Sequence, residues 1–346
     1  MNIYEPPYDR TPAILRLVAE ISECVGQYTA FSEQTLTPQL RRANRIRTIQ
    51  ASLEIEQSTL SLEQVTAVLD GKSVFGHPKE VQEVRNAFAT YEAIDTLKST
   101  SQKDLLKAHQ LLMAGLIDQA GQYRTGSVGV AQGEDIVHVA PPAARVPRLI
   151  QDLLGWLRST DEHPLVASCV FHYEFEFIHP FTDGNGRMGR LWQTLILKEW
   201  KPLFAYLPVE TIIRDRQAAY YKKLAESDKS GQATAFVEFM LEAIKESIQE
   251  ALSTDQVSDQ VSDQVKRLLK AIGESEQTSA GLMQQLQLSH APTFRKNYLT
   301  PALEGKWIER TQPDSPRSPT QAYRLTTKGK LWLTTQGQHG VKREWR

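Results

Sequence analysis

Residues 179–190 read His-Pro-Phe-Thr-Asp-Gly-Asn-Gly-Arg-Met-Gly-Arg, and no other stretch restricts the folding of this chain as tightly. The apolar, aromatic run Val166–Ile178 precedes it and the periodic run Leu191–Trp200 follows. Both flanks read as helix, so the stretch is expected to be a helix–loop–helix corner. Pro180 disfavours a helical backbone at His179 and ends the first helix there. Gly184 and Gly186 let the backbone turn tightly and bring its N–H groups close to a ligand. The next helix then presents unpaired N–H groups and the positive end of its dipole. Arg187 and Arg190 fall on neighbouring positions of its first turns. Together these features read as an anion site, best suited to a polyphosphate. No Gly-Lys-Ser/Thr follows the glycines, so the loop is not of the Walker A type.

Asp-Gly-Asn-Gly alone is ordinary turn composition. The whole string says more, because it holds an imidazole for a base, a carboxylate for a metal and paired guanidiniums for phosphates. It fits His-Pro-Phe-x-Asp/Glu-Gly-Asn-Gly-Arg-x-x-Arg without a departure, and so resembles the Fic family. The resemblance covers roughly residues 40–245. It implies a mostly α fold, a Fic-type helical bundle with a β-hairpin flap, and transfer of AMP from ATP to a protein hydroxyl.

At 346 residues the chain is long enough for two or three domains, each with its own core. Its formal net charge of −1 is uninformative, but the distribution is not. From Lys266 to Arg346 there are 14 Lys/Arg against 6 Asp/Glu, an excess that points to nucleic acid near the C-terminus. Cys24 and Cys169 lie in apolar helical surroundings and read as buried, reduced thiols. The N-terminus has no secretory pattern and no run is long enough for a membrane helix, so a cytoplasmic protein without a membrane partner is expected.

Helical periodicity appears from Thr11, over Thr37–Ile49, Leu60–Leu69, Glu80–Leu97, Asp104–Ala120 and Val146–Leu157. It returns over Arg214–Leu224 and Ala233–Glu250. Between Val128 and Val139 β-branched residues flank Gly133, which predicts a β-hairpin. The segment from Tyr123-Arg124 to Pro141-Pro142 resembles the family's active-site flap, whose edge can hold a target by strand addition. His172, Glu176 and His179 share one helix face in the manner of zinc ligands, but the surrounding aromatics favour packing roles, or supporting roles behind the site, for the first two. Arg216 stands where relatives often place an asparagine before the pair Tyr220-Tyr221. The three-fold repeat Asp255-Gln-Val-Ser…Val265 reads as a boundary. Beyond it, helices over Val265–Ile272, Ser279–Leu286 and Ala291–Leu303 precede strands at Lys306–Arg310 and Gln321–Leu325. That order is a winged-helix pattern, for DNA or for another protein, with Thr293, Arg295, Lys296 and Asn297 on the recognition helix and Arg317 in the wing. The expected domains are therefore 1–100, N-terminal helices with an inhibitory element; 101–250, catalytic; 251–265, linker; and 266–346, winged helix.

His179 is suited to deprotonate a hydroxyl, since imidazole titrates near neutrality. Backbone N–H groups of Gly184–Gly186, with Asn185, are expected to cradle phosphate oxygens. Arg187 and Arg190 would clamp the β- and γ-phosphates, and Met188 and Gly189 complete the ATP-binding run. The resemblance implies that Asp183 holds Mg²⁺ between the α- and β-phosphates. It also implies that Ser52-x-x-x-Glu56 is an inhibitory helix, although Gln57 replaces the usual Gly or Asn. The expected partner is a protein carrying a Ser, Thr or Tyr hydroxyl, with DNA at the C-terminal domain and a homo-oligomer as further partners. Two alternatives stand beside this one. The first is a phosphodiesterase that removes AMP, and the second a DNA-binding regulator that uses the pocket as a nucleotide sensor.

Overall fold

A computed structural model of the chain describes residues 4–32, 38–127, 129–132, 135–253, 263–273, 275–312, 318, 321–326, 329–330 and 332–333. The described residues are mostly helical and divide into two compact units, residues 1–250 and 251–346. No helix among them is long and apolar enough to cross a membrane.

In the first unit α1 (Pro12–Ser32), α2 (Pro38–Ile55), α3 (Leu62–Leu69), α4 (Pro78–Glu92) and α5 (Gln102–Leu112) precede a hairpin. The hairpin pairs β1 (Gly129–Gln132) with β2 (Asp135–Val139) in antiparallel register, with a bulge between Val130 and Ala131. Val128 and the Gly133 turn lie outside the described residues. Then come α6 (Val146–Ser159), α7 (Pro164–Ile178), α8 (Asn185–Trp200), α9 (Val209–Asp215), α10 (Gln217–Ser230) and α11 (Thr234–Ser253).

Helices α7 and α8 pack against each other at the centre of this unit. Almost every side chain of α7 is buried, including Phe171, Tyr173 and Phe175, and α8 buries Met188, Leu191, Trp192 and Leu195. A helix apolar on all sides belongs in a core, which fixes the corner between α7 and α8 firmly. The N-terminal strap is tied to the same core. Tyr4 Oη donates to Glu174 at 2.5 Å, and Pro7 O accepts the Ala233 N–H at 2.8 Å.

Several expected boundaries shift. The segment Thr37–Ile49 and the Ser52-x-x-x-Glu56 element, read separately, are carried by one helix, α2, which runs on to Ile55. Its inward face carries Asn44, Arg45, Thr48, Gln50 and Ser52, all buried, so polarity did not mark its outside. Helix α5 stops at Leu112 rather than Ala120, because the chain turns through left-handed Gly115 (φ 71°). The stretch after Trp200 is two helices, α9 and α10, meeting at Arg216, which forms an ion pair with Glu246. Cys169 is buried as expected, whereas Cys24 is only partly so.

The second unit holds α12 (Asp263–Ile272), β3 (Gln277–Thr278), α13 (Ser279–Gln285), a helical stretch from Ala291 to Glu304 with a π-turn over Arg295–Leu299, β4 (Ile308–Arg310) and β5 (Ala322–Leu325). The sheet order is β3-β5-β4, all antiparallel. Its core gathers Leu268, Leu269, Ile272, Leu282, Phe294, Tyr298, Trp307 and Leu325. Strand β3 was not anticipated, two residues being too short for a period. The Asp255–Val265 repeat, up to residue 262, and Arg317 lie outside the described residues.

Candidate active site

Helix α7 ends on His179, whose backbone is left-handed (φ 48°, ψ 62°) and whose N–H still bonds Phe175 O at 2.9 Å. A non-glycine residue in this conformation costs about 1–2 kcal/mol, so its surroundings must hold it there. Arg124 does so. Its Nε donates to His179 O at 2.7 Å, Nη2 to Ile178 O at 3.3 Å and to Pro141 O at 2.5 Å, and Nη1 to Gly126 O at 2.9 Å. The Arg124 N–H adds a bond to Pro180 O at 2.9 Å. Desolvation draws this guanidinium's pKa down.

The loop after His179 is braced from within. Asn185 Oδ1 accepts the Phe181 N–H and its Nδ2 donates to Phe181 O, each at 2.9 Å. The buried side-chain amide of Asn185 is thus committed to the loop, while its backbone N–H lies in the first turn of α8. The Phe181 ring stacks on His109, centroids 3.6 Å apart and planes 4° from parallel. His109 Nδ1 accepts the Gly121 N–H at 2.9 Å, which leaves Nε2–H to donate to Asp183 O at 3.0 Å. Burial pushes the His109 pKa down to about 4, so the ring is neutral at pH 7. Gly184 is left-handed (φ 82°), and a Cβ there would lie 2.7 Å from Met113 Sδ. The first N–H groups of α8, from Asn185 to Arg187, have no acceptor within their own helix.

Asp183 Oδ1 accepts the Gly184 N–H at 2.6 Å and Arg187 Nη2 at 3.1 Å, while its side chain stays 43 % exposed. Arg187 Nη1 reaches Glu83 Oε1 at 3.1 Å on α4. Arg190 is fully enclosed. Its Nε donates to Ser52 Oγ at 3.0 Å, and Nη2 to Ser52 O at 3.0 Å and Glu56 Oε1 at 2.7 Å. Burial opposes its charge, but Glu56, together with Tyr220 and Glu176, outweighs this and raises its pKa. Thus Ser52 on α2 and Glu56, the residue just past its end, meet the second arginine of the corner together.

The chain path after Glu56 is a helix C-terminus of the Schellman type. The Ser58 N–H bonds Leu53 O at 3.0 Å, the Gln57 N–H bonds Glu54 O at 2.9 Å, and Gln57 is left-handed (φ 69°). That backbone explains why glycine or asparagine suits the position. Gln217 Nε2, from α10, donates to Ile55 O at 2.8 Å and fixes the end of α2 further.

A cavity of about 150 Å³ opens between these groups, lined by Glu56, Gly186, Arg190, His179 and Glu176 on one side and by Tyr220, Tyr221, Leu224 and Ala225 on the other. Polar groups gather on the first side, and the α10 wall is aromatic and aliphatic apart from Asp228. The tyrosine pair, to which the sequence reading assigned no contact, therefore forms a wall of the site. His172 stands behind it, fully buried. Its Nδ1 donates to Gln193 Oε1 at 2.8 Å and its Nε2 accepts from Tyr220 Oη at 3.2 Å, with burial pushing its pKa down to about 3. Glu176, read as a packing or supporting residue, reaches the cavity. Glu83, which holds Arg187, and Arg124, which holds the backbone at His179, were not singled out; Glu83 had no signal beyond its place on a predicted helix, whereas Arg124 lay in the segment resembling the flap.

The Fic/DOC family model matches residues 99–197, and that of the Filamentation induced by cAMP protein Fic-like C-terminal domain matches residues 263–326. A Fic family protein from Desulfovibrio desulfuricans G20 of known crystal structure is 67% identical, covers 94% of this chain and 99% of its own, and superposes with a TM-score of 0.72. The chain belongs to the Fic family. Among curated relatives, protein adenylyltransferase Fic of Drosophila grimshawi is 30% identical over 219 residues, which is 59% of this chain and 42% of that protein. The enzyme of the same name from Culex quinquefasciatus is 30% identical over 227 residues, 61% of this chain and 43% of its own. This Fic protein thus spans less than half the length of the curated relatives it matches.

Proposed function

We propose that this Fic protein is a protein adenylyltransferase, moving AMP from ATP to a Ser, Thr or Tyr hydroxyl of a target protein, and that Glu56 holds it off. One observation carries the reading: Glu56 and Arg190 pair at 2.7 Å inside the cavity that His179 also lines. A guanidinium buried at a helix N-terminus beside a glycine turn suits a phosphate, and here a carboxylate occupies it.

The hydroxyl oxygen attacks the α-phosphorus, a new P–O bond forms, and the bond to pyrophosphate breaks. His179 takes the hydroxyl proton at Nε2. The first-turn N–H groups of α8 and the two guanidiniums face the charge on the phosphates, which fixed donors stabilise without reorganising. The Asp183 carboxylate, half-exposed and held by the Gly184 N–H, fits Mg²⁺, which favours one or two carboxylates together with phosphate oxygens and water. Bound there, Mg²⁺ would neutralise charge on the triphosphate. Tyr220, Tyr221, Leu224 and Ala225 offer an apolar face for the adenine.

Incubation of the purified chain with α-labelled ATP and Mg²⁺, alone and with a lysate of its source, tests the proposal. Label on protein is expected. Label that appears on no protein, even with Glu56 replaced by glycine, would end it.

Removal of AMP is a second reading, favoured by Glu56 itself, since a carboxylate beside the base could orient a water molecule. For the second unit we propose a winged helix that binds duplex DNA. Its support is the exposed face of the 291–304 helix, where Thr293, Arg295, Lys296 and Asn297 all point to solvent while Phe294 and Tyr298 face the core. The local excess of basic residues agrees.

A further inference from the structure

Glu176 lies one turn before His179 on α7, with its side chain 12 % exposed. Its Oε2 stands 3.9 Å from His179 Nδ1, and its Oε1 stands 3.9 Å from His172 Nε2. The two imidazoles are not equivalent partners. His172 has both nitrogens committed, to Gln193 and Tyr220, and is held neutral by burial. His179 lines the cavity, and its Nδ1 edge faces inward, away from solvent. The backbone of α8 closes over the carboxylate from the other side, since a Cβ on Gly189 would lie 2.8 Å from Glu176 Oε1. Glu176 is therefore confined between two helices and set against the buried edge of the imidazole.

We propose that Glu176 is the positioning residue for His179. Its carboxylate holds the ring in the Nδ1–H tautomer, leaves the Nε2 lone pair for the target hydroxyl, and stabilises the imidazolium once the proton has moved. The inference rests on the reading of His179 as the base. During the step the hydroxyl proton passes to Nε2 as the P–O bond forms and pyrophosphate leaves. Nδ1 keeps its own proton, and Glu176 remains ionised.

The other charged and titratable groups around the ring have their own partners. Arg190 of α8 pairs with Glu56 at the end of α2, and Asp228 of α10 accepts from Tyr173 Oη at 3.0 Å. Tyr220 bonds His172, and burial holds both Tyr220 and Tyr221 neutral by raising their pKa values.

The test uses the full chain carrying Glu56→Gly, with Glu176→Gln or Glu176→Asp added. It records AMP transfer against pH and, separately, the titration of the His179 ring by ¹H–¹⁵N NMR. An opposite charge this close raises an imidazole pKa by about one unit or more. Glu176→Gln should therefore move both the acid limb of the rate profile and the ring titration down by about one pH unit. It should lower kcat about tenfold, because a less basic nitrogen is a poorer base. KM for ATP should change by less than about twofold, and Glu176→Asp should restore part of the shift. An unmoved ring titration, or a rise in KM with kcat unchanged, would reduce Glu176 to a wall of the pocket and overturn the inference. If the Glu56→Gly parent transfers no AMP, the adenylyltransferase reading fails, while the NMR titration still decides whether Glu176 pairs with His179.

Discussion

Glu56 Oε1 lies 2.7 Å from Arg190 Nη2, and the same oxygen would lie 2.3 Å from a Cβ on Gly186. One carboxylate thus occupies both the guanidinium and the glycine nest that a triphosphate needs. Replacing it should free both. In Glu56→Gly, AMP transfer should rise by roughly 10²-fold, because a misplacement of about 1 Å costs that much in rate. ATP affinity should move much less. Self-labelling at saturating ATP and Mg²⁺ compares the two proteins. Equal rates would rule out autoinhibition, and a slower mutant would favour AMP removal as the activity.

His179→Ala should bind ATP nearly as well as the parent and lose AMP transfer by about 10²–10⁴-fold, the contribution of a positioned base. Binding by calorimetry and transfer by label on protein separate the two effects. Undiminished labelling would remove His179 from the mechanism.

Gln57 stands in a left-handed conformation at the end of α2 (φ 69°). Glycine adopts it freely, so Gln57→Gly should stabilise the first unit by about 1 kcal/mol. For a unit of this size that is a rise in Tm of roughly 2–4 °C. A fall in Tm would mean that the glutamine side chain holds the turn by contacts that outweigh its strain.

Glu210 is fully buried on α9, where its Oε1 accepts from Tyr91 Oη at 3.1 Å and Thr194 Oγ1 at 3.5 Å. Burial pushes its pKa up to about 7. An unfolded glutamate ionises near pH 4, so between these values the folded state binds the extra proton. Stability should therefore fall as pH rises from about 4 through 7. Glu210→Gln keeps an acceptor and removes the titration, and its Tm should exceed that of the parent by more at pH 8 than at pH 5. A constant difference across that range would contradict the assignment.

The second unit, with Thr293, Arg295, Lys296 and Asn297 exposed, should bind duplex DNA with an affinity that falls steeply as salt rises, because phosphate contacts release counterions. Fluorescence anisotropy with the full chain, between low and physiological salt, measures this. No binding at low salt would make the unit a protein-interaction module.

The corner was legible because its residues are chemically unusual and local. Pro180 and the glycines place the end of α7 and the start of α8, and both occur where the sequence puts them. Ser52 and Glu56 were legible only through the resemblance to the Fic family, since a spacing of four residues alone does not mark them out. What could not be read depends on distance along the chain. Glu83 meets Arg187 across 104 positions, and Arg124 meets His179 across 55. Helix α2 was broken in two because it buries Asn44, Arg45 and Thr48 together with Ile46 and Ile49, so no clean stripe marks its inner face. The bonds from the Asn185 side chain to Phe181 could not be read for a similar reason: an amide in a glycine loop looks the same whichever partner it takes.

Arg124 touches Gly126 and Pro141, the two roots of the β1–β2 hairpin, and Ile178 and His179 at the end of α7. One side chain thereby rivets the hairpin to the imidazole's own backbone. A polypeptide lying along that hairpin would be gauged against His179 as if by a jig, its offset set by a few covalent bonds and four carbonyl contacts. Choice among neighbouring hydroxyls would then be a matter of register, counted in residues along the strand, with no need to recognise the side chain that receives the AMP.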